Sequence, residues 1–347
     1  MSGGIAQLVA VGAQDAHLVG APEVSFFRST YKRHTNFSQT VERQVIQGNV
    51  SNGGMSTVRF ERKGDLLNYV YLAPHGFNNS NGTQPIPDWT DLISKVELLI
   101  GGQVVDTQDS TYSTLIAPSL SATSFSKSPL ANLYDGGGTA RFYPLRFSFC
   151  ENWQSALPLV ALQYHDVEIR ITWGTTAADY SWNVYANYAY LDTDERTMFS
   201  SGSQNMLMTQ VQKAIGSKSK IQELNYNHPV KYLAAGGADM TILGDGNKLK
   251  LQINGTDIAD YKFADPHFTS VPLYYHTANS TRRAKELFFI PFCLDAAKLQ
   301  PTGTLNFSRL DSARIQSTSE NFMEDIYAVN YNVLRIENGM GGLLYSN

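Results

Sequence analysis

The sequence predicts an all-β protein built as two similar domains in tandem. Two observations predict it. A strand, a two-residue turn and an Asp occur twice in the same order: Lys95–Asp106 (KVELLIGGQVVD) and Lys248–Asp260 (KLKLQINGTDIAD). In each copy alternate positions are apolar, Val96, Leu98 and Ile100 in the first, Leu249, Leu251 and Ile253 in the second. The turn pairs, Gly101-Gly102 and Asn254-Gly255, supply the positive φ that a tight hairpin needs. The second observation is that the echo continues. Phe149-Cys150, Asp166 and Val184-Tyr185-Ala186 are answered in order by Phe292-Cys293, Asp311 and Ile326-Tyr327-Ala328. A period this long is a domain duplication, not a solenoid.

Taken in chain order, residues 1–24 mix small and apolar types with Gly12, Gly20 and Pro22, and read as an N-terminal arm. The first domain is expected at 25–203, with strands at 40–48, 55–62 and 66–73. Pro74, Gly76, Gly82, Pro85 and Pro87 make 74–88 a loop. Residues 107–140 are rich in Ser, Thr, Ala and Gly, and predict an irregular excursion with one helical turn. Val167, Ile169 and Ile171 alternate with charged neighbours, a half-buried strand. The polar stretch 204–214 reads as a linker with helical character, and the second domain follows at 215–347. Residues 264–284, with Pro266 and Pro272, read as another loop. Many short strands separated by turn signals mean sandwiches or barrels, with short helices confined to loops. An eight-stranded jelly roll fits the size of each copy.

Composition narrows the function. The 347 residues include 19 Tyr and 17 Phe against 17% charged side chains, a balance suited to strands and extensive protein contact. A net charge of −4 argues against a general nucleic-acid binder. The local exception is a basic cluster, Arg28, Lys32, Arg33 and His34, able to meet an acidic partner. Cys150 and Cys293 fall at matching places of the two copies, which predicts a buried free thiol in each domain and a reducing compartment. Neither a secretory pattern nor an apolar run of membrane-spanning length is found, so synthesis in the cytosol is expected.

No catalytic constellation assembles, and no cofactor or small-molecule substrate is expected. His165-Asp166-Val167-Glu168 has metal-ligand residue types, but on a strand His165 points away from Asp166 and Glu168. Asp192-Thr-Asp-Glu195 is acidic enough for a hard cation, and equally suited to capping a turn or pairing with Arg196. Gly339–Gly342 lacks the Lys-Ser/Thr of a phosphate loop. Asn-x-Ser/Thr triplets include Asn81 and Asn279, the candidate glycan acceptors if the protein is glycosylated. A jelly-roll carbohydrate-binding protein would need exposed aromatics, with Trp89 and Trp182 the candidates, and a cupin-like enzyme would need a His/carboxylate set facing into a barrel.

The chain resembles the major capsid proteins of nucleocytoplasmic large DNA viruses, in the flavour of the algal viruses. The matching segments are Gly3–Asp15 (GGIAQLVAVGAQD), Phe26–Phe37 (FFRSTYKRHTNF), Ala156–His165 (ALPLVALQYH), Leu191–Arg196 (LDTDER), Asn227–Leu233 (NHPVKYL), Asn306–Asp311 (NFSRLD) and Asn330–Gly342 (NYNVLRIENGMGG). They run in order from one terminus to the other. The resemblance implies a double jelly roll and a homotrimer of pseudo-hexagonal outline. Such trimers contact neighbouring capsomers and minor capsid proteins in an icosahedral virion shell, assembled in the host cytoplasm around an internal membrane and a double-stranded DNA genome. It places the arm and Arg28, Lys32 and Arg33 at the capsid's inner face. The short Gly-rich link between Leu233 and Lys248, where relatives often carry an insertion, implies a low outer surface over the second barrel and leaves a smaller capsid paralogue or minor component as an alternative.

Overall fold

Both turn pairs adopt the conformation their residues favour. Gly101 and Gly102 have φ of 58° and 80°, Asn254 and Gly255 48° and 77°, so each hairpin turns on two positive-φ residues. The computed structural model describes residues 3–77, 89–120, 142–237, 240–277 and 286–346. Residues 1–36 form a unit of their own with two short helices, Gly3–Val9 and Ala16–Val19, and the rest of the chain forms the second unit.

The first barrel contains β1 (Phe37–Gln44), β2 (Ile46–Gln47), β3 (Met55–Arg59), β4 (Leu66–Phe77), β5 (Ile93–Ile100), β6 (Gln103–Asp109), β7 (Tyr143–Pro144), β8 (Leu157–Pro158), β9 (Val167–Trp173) and β10 (Tyr180–Leu191). The second contains β11 (Gln204–Ala214), β12 (Ile221–Glu223), β13 (Pro229–Gly236), β14 (Lys248–Ile253), β15 (Thr256–Asp257), β16 (Lys262–Phe263), β17 (Leu287–Pro291), β18 (Leu305–Asn306), β19 (Ala313–Ser317), β20 (Ile326–Glu337) and β21 (Met340–Leu343).

Strand order shows the duplication directly. In the first barrel one sheet runs β1-β10-β4-β7 with β8 also on β4, and the facing sheet runs β2-β3-β9-β5-β6. In the second, β11-β20-β13-β17 has β18 also on β13 and β21 on β20, facing β12-β19-β14-β15 with β16 on β14. The orders correspond, with β6 answered by β15 and β16 and with β2 and β21 unmatched, and each barrel is a jelly roll. Val96, Leu98 and Ile100 on β5 pair with Ile171, Ile169 and Val167 of β9, while Leu249, Leu251 and Ile253 on β14 pair with Ser317, Ile315 and Ala313 of β19. The two triplets thus occupy equivalent strands. Each alternating pattern puts one face into its own barrel's core.

Three segments depart from the expectation. Residues 204–214 are not a linker with helical character but β11, paired along its whole length with β20. Its polar residues hid the strand because they serve an interface: Gln210 donates to the Val105 carbonyl at 2.5 Å. The described part of the 107–140 excursion continues β6 to Asp109 and then runs as helix from Ser110 to Leu120, more than one turn. The 264–284 loop holds two short helices, Ala264–His267 and Ser270–His276.

Candidate assembly surface

The two barrels meet along a seam built from one edge of the first and one outer face of the second. The edge is β6 followed by the helical residues 110–120. The face is the outward side of β11, β20, β13 and β17. Alternation along these strands sends Val230, Leu233 and Ala328 into the barrel, and Tyr232, Ala234, Leu287, Phe289, Tyr327 and Val329 outward. Left bare, that outer face would be an apolar patch. Instead Tyr112, Ile116, Ala117 and Leu120 of the first barrel close over it as one buried cluster, with the Tyr112 and Tyr327 rings 6.0 Å apart. At Gly236 a Cβ would lie 2.6 Å from Leu115 Cδ2, so glycine permits the close approach.

Polar groups set the register of the seam. The Asp109 carboxylate accepts from the Tyr327 hydroxyl at 2.6 Å and pairs with Lys213 at 3.0 Å, while Lys213 also reaches Asp325 at 2.6 Å. Asp106 is buried and accepts the Val211 N–H at 2.9 Å, the Thr107 N–H and the Gln108 amide. Burial pushes its carboxyl up to about 7, against these hydrogen bonds. Further along, Met208, Leu334 and Ile336 of the second barrel belong to the first barrel's core cluster. Hairpin β20–β21 turns on Asn338 and Gly339, both at positive φ, and docks on the first barrel: Tyr164 N–H donates to Gly339 O at 2.9 Å, and His165 Nδ1 lies 2.8 Å from Gly341 O. Two of the segments that carry the capsid resemblance, Ala156–His165 and Asn330–Gly342, therefore touch each other.

Among the described residues the duplicated counterparts of this seam are exposed or half-exposed. Val105 and Ile258 are each the third residue after the turn pair; Val105 is 3% exposed and Ile258 57%. Helix Ser270–His276 lies between β16 and β17, as residues 110–120 lie between β6 and β7. Its Leu273 packs on its own barrel, while Tyr274 and Tyr275 are 79% and 72% exposed. The counterpart of the covered face is the outer side of β1, β10 and β4. There Tyr185, the equivalent of Tyr327, stacks on Tyr71 at 5.3 Å; Tyr71 neighbours Tyr69 at 6.4 Å, and Tyr69 meets Trp153 at 5.9 Å. Val41 on β1 sits opposite Asn187 as Val211 sits opposite Val329, and is 41% exposed. A recess of about 600 Å³ lies here, lined by Tyr69, Tyr71, Phe142, Arg146 and Trp153 among others.

The residues singled out from sequence fall as follows. Arg28, Lys32 and Arg33 are exposed in the N-terminal unit, and none has an ion-pair partner among the described residues. Asn81 and Asn279 lie outside the described residues. Trp89 and Trp182 are 2% and 7% exposed, core residues that cannot present rings to a sugar. Asp166 pairs with Arg59 and Arg62. Asp192 caps the helix Thr193–Ser201 through the Thr193 N–H, whereas Arg196 reaches past that acidic group to the buried Asp65, at 2.9 Å. Among the described residues no group of three or more His, Cys, Asp or Glu could hold a metal ion. Both cysteines are free; Cys293 is buried as expected, whereas Cys150 is only half-buried beside the recess, and desolvation pushes both thiols up. Sequence reasoning missed the seam residues Gln210, Val211 and Lys213; the one signal was a polar strand of full length.

Two jelly rolls in tandem on one chain, with a built seam between them, define a double jelly-roll capsid protein. The comparisons with known proteins agree. The model of the major capsid protein N-terminus matches residues 25–205, and that of the large eukaryotic DNA virus major capsid protein matches 246–342. The major capsid protein of Pyramimonas orientalis virus is 34% identical and that of Paramecium bursaria Chlorella virus 1 is 31% identical, each with both chains fully covered. PBCV-1 VP54, whose crystal structure was fitted into a reconstruction of the virophage Sputnik, superposes with a TM-score of 0.78 at 26% identity, over 93% of this chain and 100% of that one. The Faustovirus major capsid protein shares the fold, at TM-score 0.63 and 13% identity over 94% of each chain. The chain belongs to the major capsid protein family of large eukaryotic DNA viruses.

Proposed function

We propose that the protein is the shell-building subunit of an icosahedral virion of a large double-stranded DNA virus, working as a homotrimer of pseudo-hexagonal outline. The observation that carries this reading is the duplication of an interface. One barrel-to-barrel seam is filled within the chain, and among the described residues its duplicated counterparts are left exposed at Ile258, Tyr274 and Tyr275 and half-exposed at Tyr185. A heterologous contact of this kind builds rings or filaments. Three chains offer six similar barrels, an outline that tiles hexagonally against neighbouring capsomers. The function is structural, without catalysis or cofactor, and the protein is made in the host cytoplasm. Light scattering on the purified protein tests the reading: a stable particle of about 115 kDa, three times the 38.4 kDa chain, is expected. A stable monomer at micromolar concentration overturns it.

Minor capsid proteins and an internal membrane complete this reading through residues 1–36. Arg28, Lys32 and Arg33 are exposed cations without ion-pair partners among the described residues, suited to an acidic protein or an anionic lipid surface. Deleting residues 2–22 should leave the trimer intact and impair shell assembly. If the deletion prevents trimer folding, the arm belongs to the core and this role is lost. Asn81 and Asn279 remain the candidate glycan acceptors by sequon, to be checked by glycopeptide mapping of virions.

A further inference from the structure

A smaller cavity, of about 100 Å³, opens beside the seam and is lined from both barrels. The first barrel contributes Arg146, just ahead of the short helix Ser148–Glu151, and Glu151 at that helix's end. The second contributes Lys231 of β13 and Tyr331 of β20. Lys231 and Tyr331 are each 7% exposed and Arg146 5%. The Lys231 ammonium donates to the Lys298 carbonyl at 2.9 Å and lies 6.0 Å over the Tyr331 ring, with no ion-pair partner among the described residues. The Tyr331 hydroxyl is buried and has no hydrogen-bond partner among them. Two carboxylates stand nearby. Glu151 pairs with Arg146 at 3.5 Å, while Asp295, whose Oδ1 accepts the Ala297 N–H at 2.8 Å, acts on Lys231 from beyond ion-pair reach. Burial lowers the Lys231 ammonium from its ordinary value. It pushes the Tyr331 hydroxyl up to about 12, so that hydroxyl keeps a proton to donate.

A buried ammonium without a counter-charge and a buried hydroxyl without an acceptor are both costly. Here they line one polar cavity, whose size is about three water volumes. That is room for a four-oxygen anion and not for a nucleotide. We infer that this cavity binds a small oxyanion of the phosphate or sulfate type, held by the Lys231 ammonium and the Tyr331 hydroxyl of the second barrel, with the Arg146 guanidinium on the first barrel's side. The bound anion is then a tie across the seam. Water alone would satisfy the hydroxyl but leave the ammonium without an opposite charge. An oxyanion does both, and its oxygens suit the planar fork of an arginine. Exposed Lys298 and Leu299 form part of the wall, so ions reach the cavity from solvent. The cavity lies within one chain, so the site exists in whatever oligomer the chain forms.

Calorimetric titration of the full chain with inorganic phosphate, at an ionic strength held constant with chloride, tests this. Wild type should bind one phosphate per chain, and sulfate should compete for it. Lys231→Met keeps most of the side chain's length without its charge and should weaken binding about tenfold or more, while Tyr331→Phe removes only the hydroxyl and should weaken it less. No saturable binding in wild type, or equal binding by Lys231→Met, overturns the site. Chloride that raises the urea midpoint as much as phosphate does would mean a general salt effect, and also overturns it. If Lys231→Met does not fold, a cryo-electron-microscopy map of wild type prepared in phosphate decides alone. Tetrahedral density between Lys231, Tyr331 and Arg146 supports the site, and water-sized peaks overturn it.

Discussion

Replacing Gly236 by Val drives a side chain into the seam between the barrels. The first added carbon alone would sit 2.6 Å from Leu115 Cδ2, 3.0 Å from Leu115 Cγ and 3.2 Å from Ile116 Cγ1. Leu115 is 1% exposed and Ile116 0%, so neither has free space to retreat into. Overpacking of this kind costs about 1–3 kcal/mol. Glycine is a poor strand residue, and its loss returns about 0.5–1 kcal/mol. The net expectation is a loss of about 0–2.5 kcal/mol. Leu115→Ala alone should cost about 2–5 kcal/mol by leaving a cavity. Combined, the two changes should partly cancel, because the valine fills the vacated space, and the double variant should be at least about 1 kcal/mol better than the sum. Urea unfolding at matched slope reads all four proteins. Strict additivity would falsify the seating of residues 110–120 on β13.

Other expectations follow from the same seam and its surroundings. Asp106 is held up to about 7 by burial, against an ordinary 3.8, so the folded protein binds that proton more tightly than the unfolded chain. Its contribution is full below about pH 4, declines by up to about 1.4 kcal/mol per pH step towards 7, and is flat above. Asp106→Asn should therefore be less sensitive to pH between 5 and 7 than wild type, measured by urea midpoints, and identical slopes would refute the assignment. Cys293 is free and buried and its thiol is pushed up, so it should resist a thiol-reactive disulfide at pH 8 until the protein is unfolded. A linked pair in non-reducing peptide maps would contradict this. Asp192→Ala removes the cap of helix Thr193–Ser201 and should cost about 0.5–2 kcal/mol, with no change in oligomeric mass.

How far the sequence carried depended on where each signal lives. The hairpin turns were legible because Gly-Gly and Asn-Gly have few other uses between alternating strands, and both adopt positive φ. The duplication was legible because Val184-Tyr185-Ala186 and Ile326-Tyr327-Ala328 alternate identically. Yet those tyrosines differ where it matters most, since Tyr327 is buried under a neighbouring barrel and Tyr185 is half-exposed. Nothing local in either triplet announces that difference; it arises from contact between distant parts of the chain. The same holds for β11. Its Gln, Asn, Thr and Lys residues read as linker composition because polar side chains normally mean solvent, whereas Gln210 and Lys213 bond across the seam. Asp106 stood out only as the end of the repeated motif and Asp109 not at all, since a seam carboxylate is recognisable only once Lys213, Tyr327 and Val211 are seen around it.

The central claim is that the chain's internal seam is repeated between chains. A cryo-electron-microscopy map of the purified, untruncated oligomer, at a resolution that separates strands, tests it most directly. The account predicts a closed ring of three chains in which first and second barrels alternate. A two-fold dimer, or a ring in which like barrels meet, would contradict it.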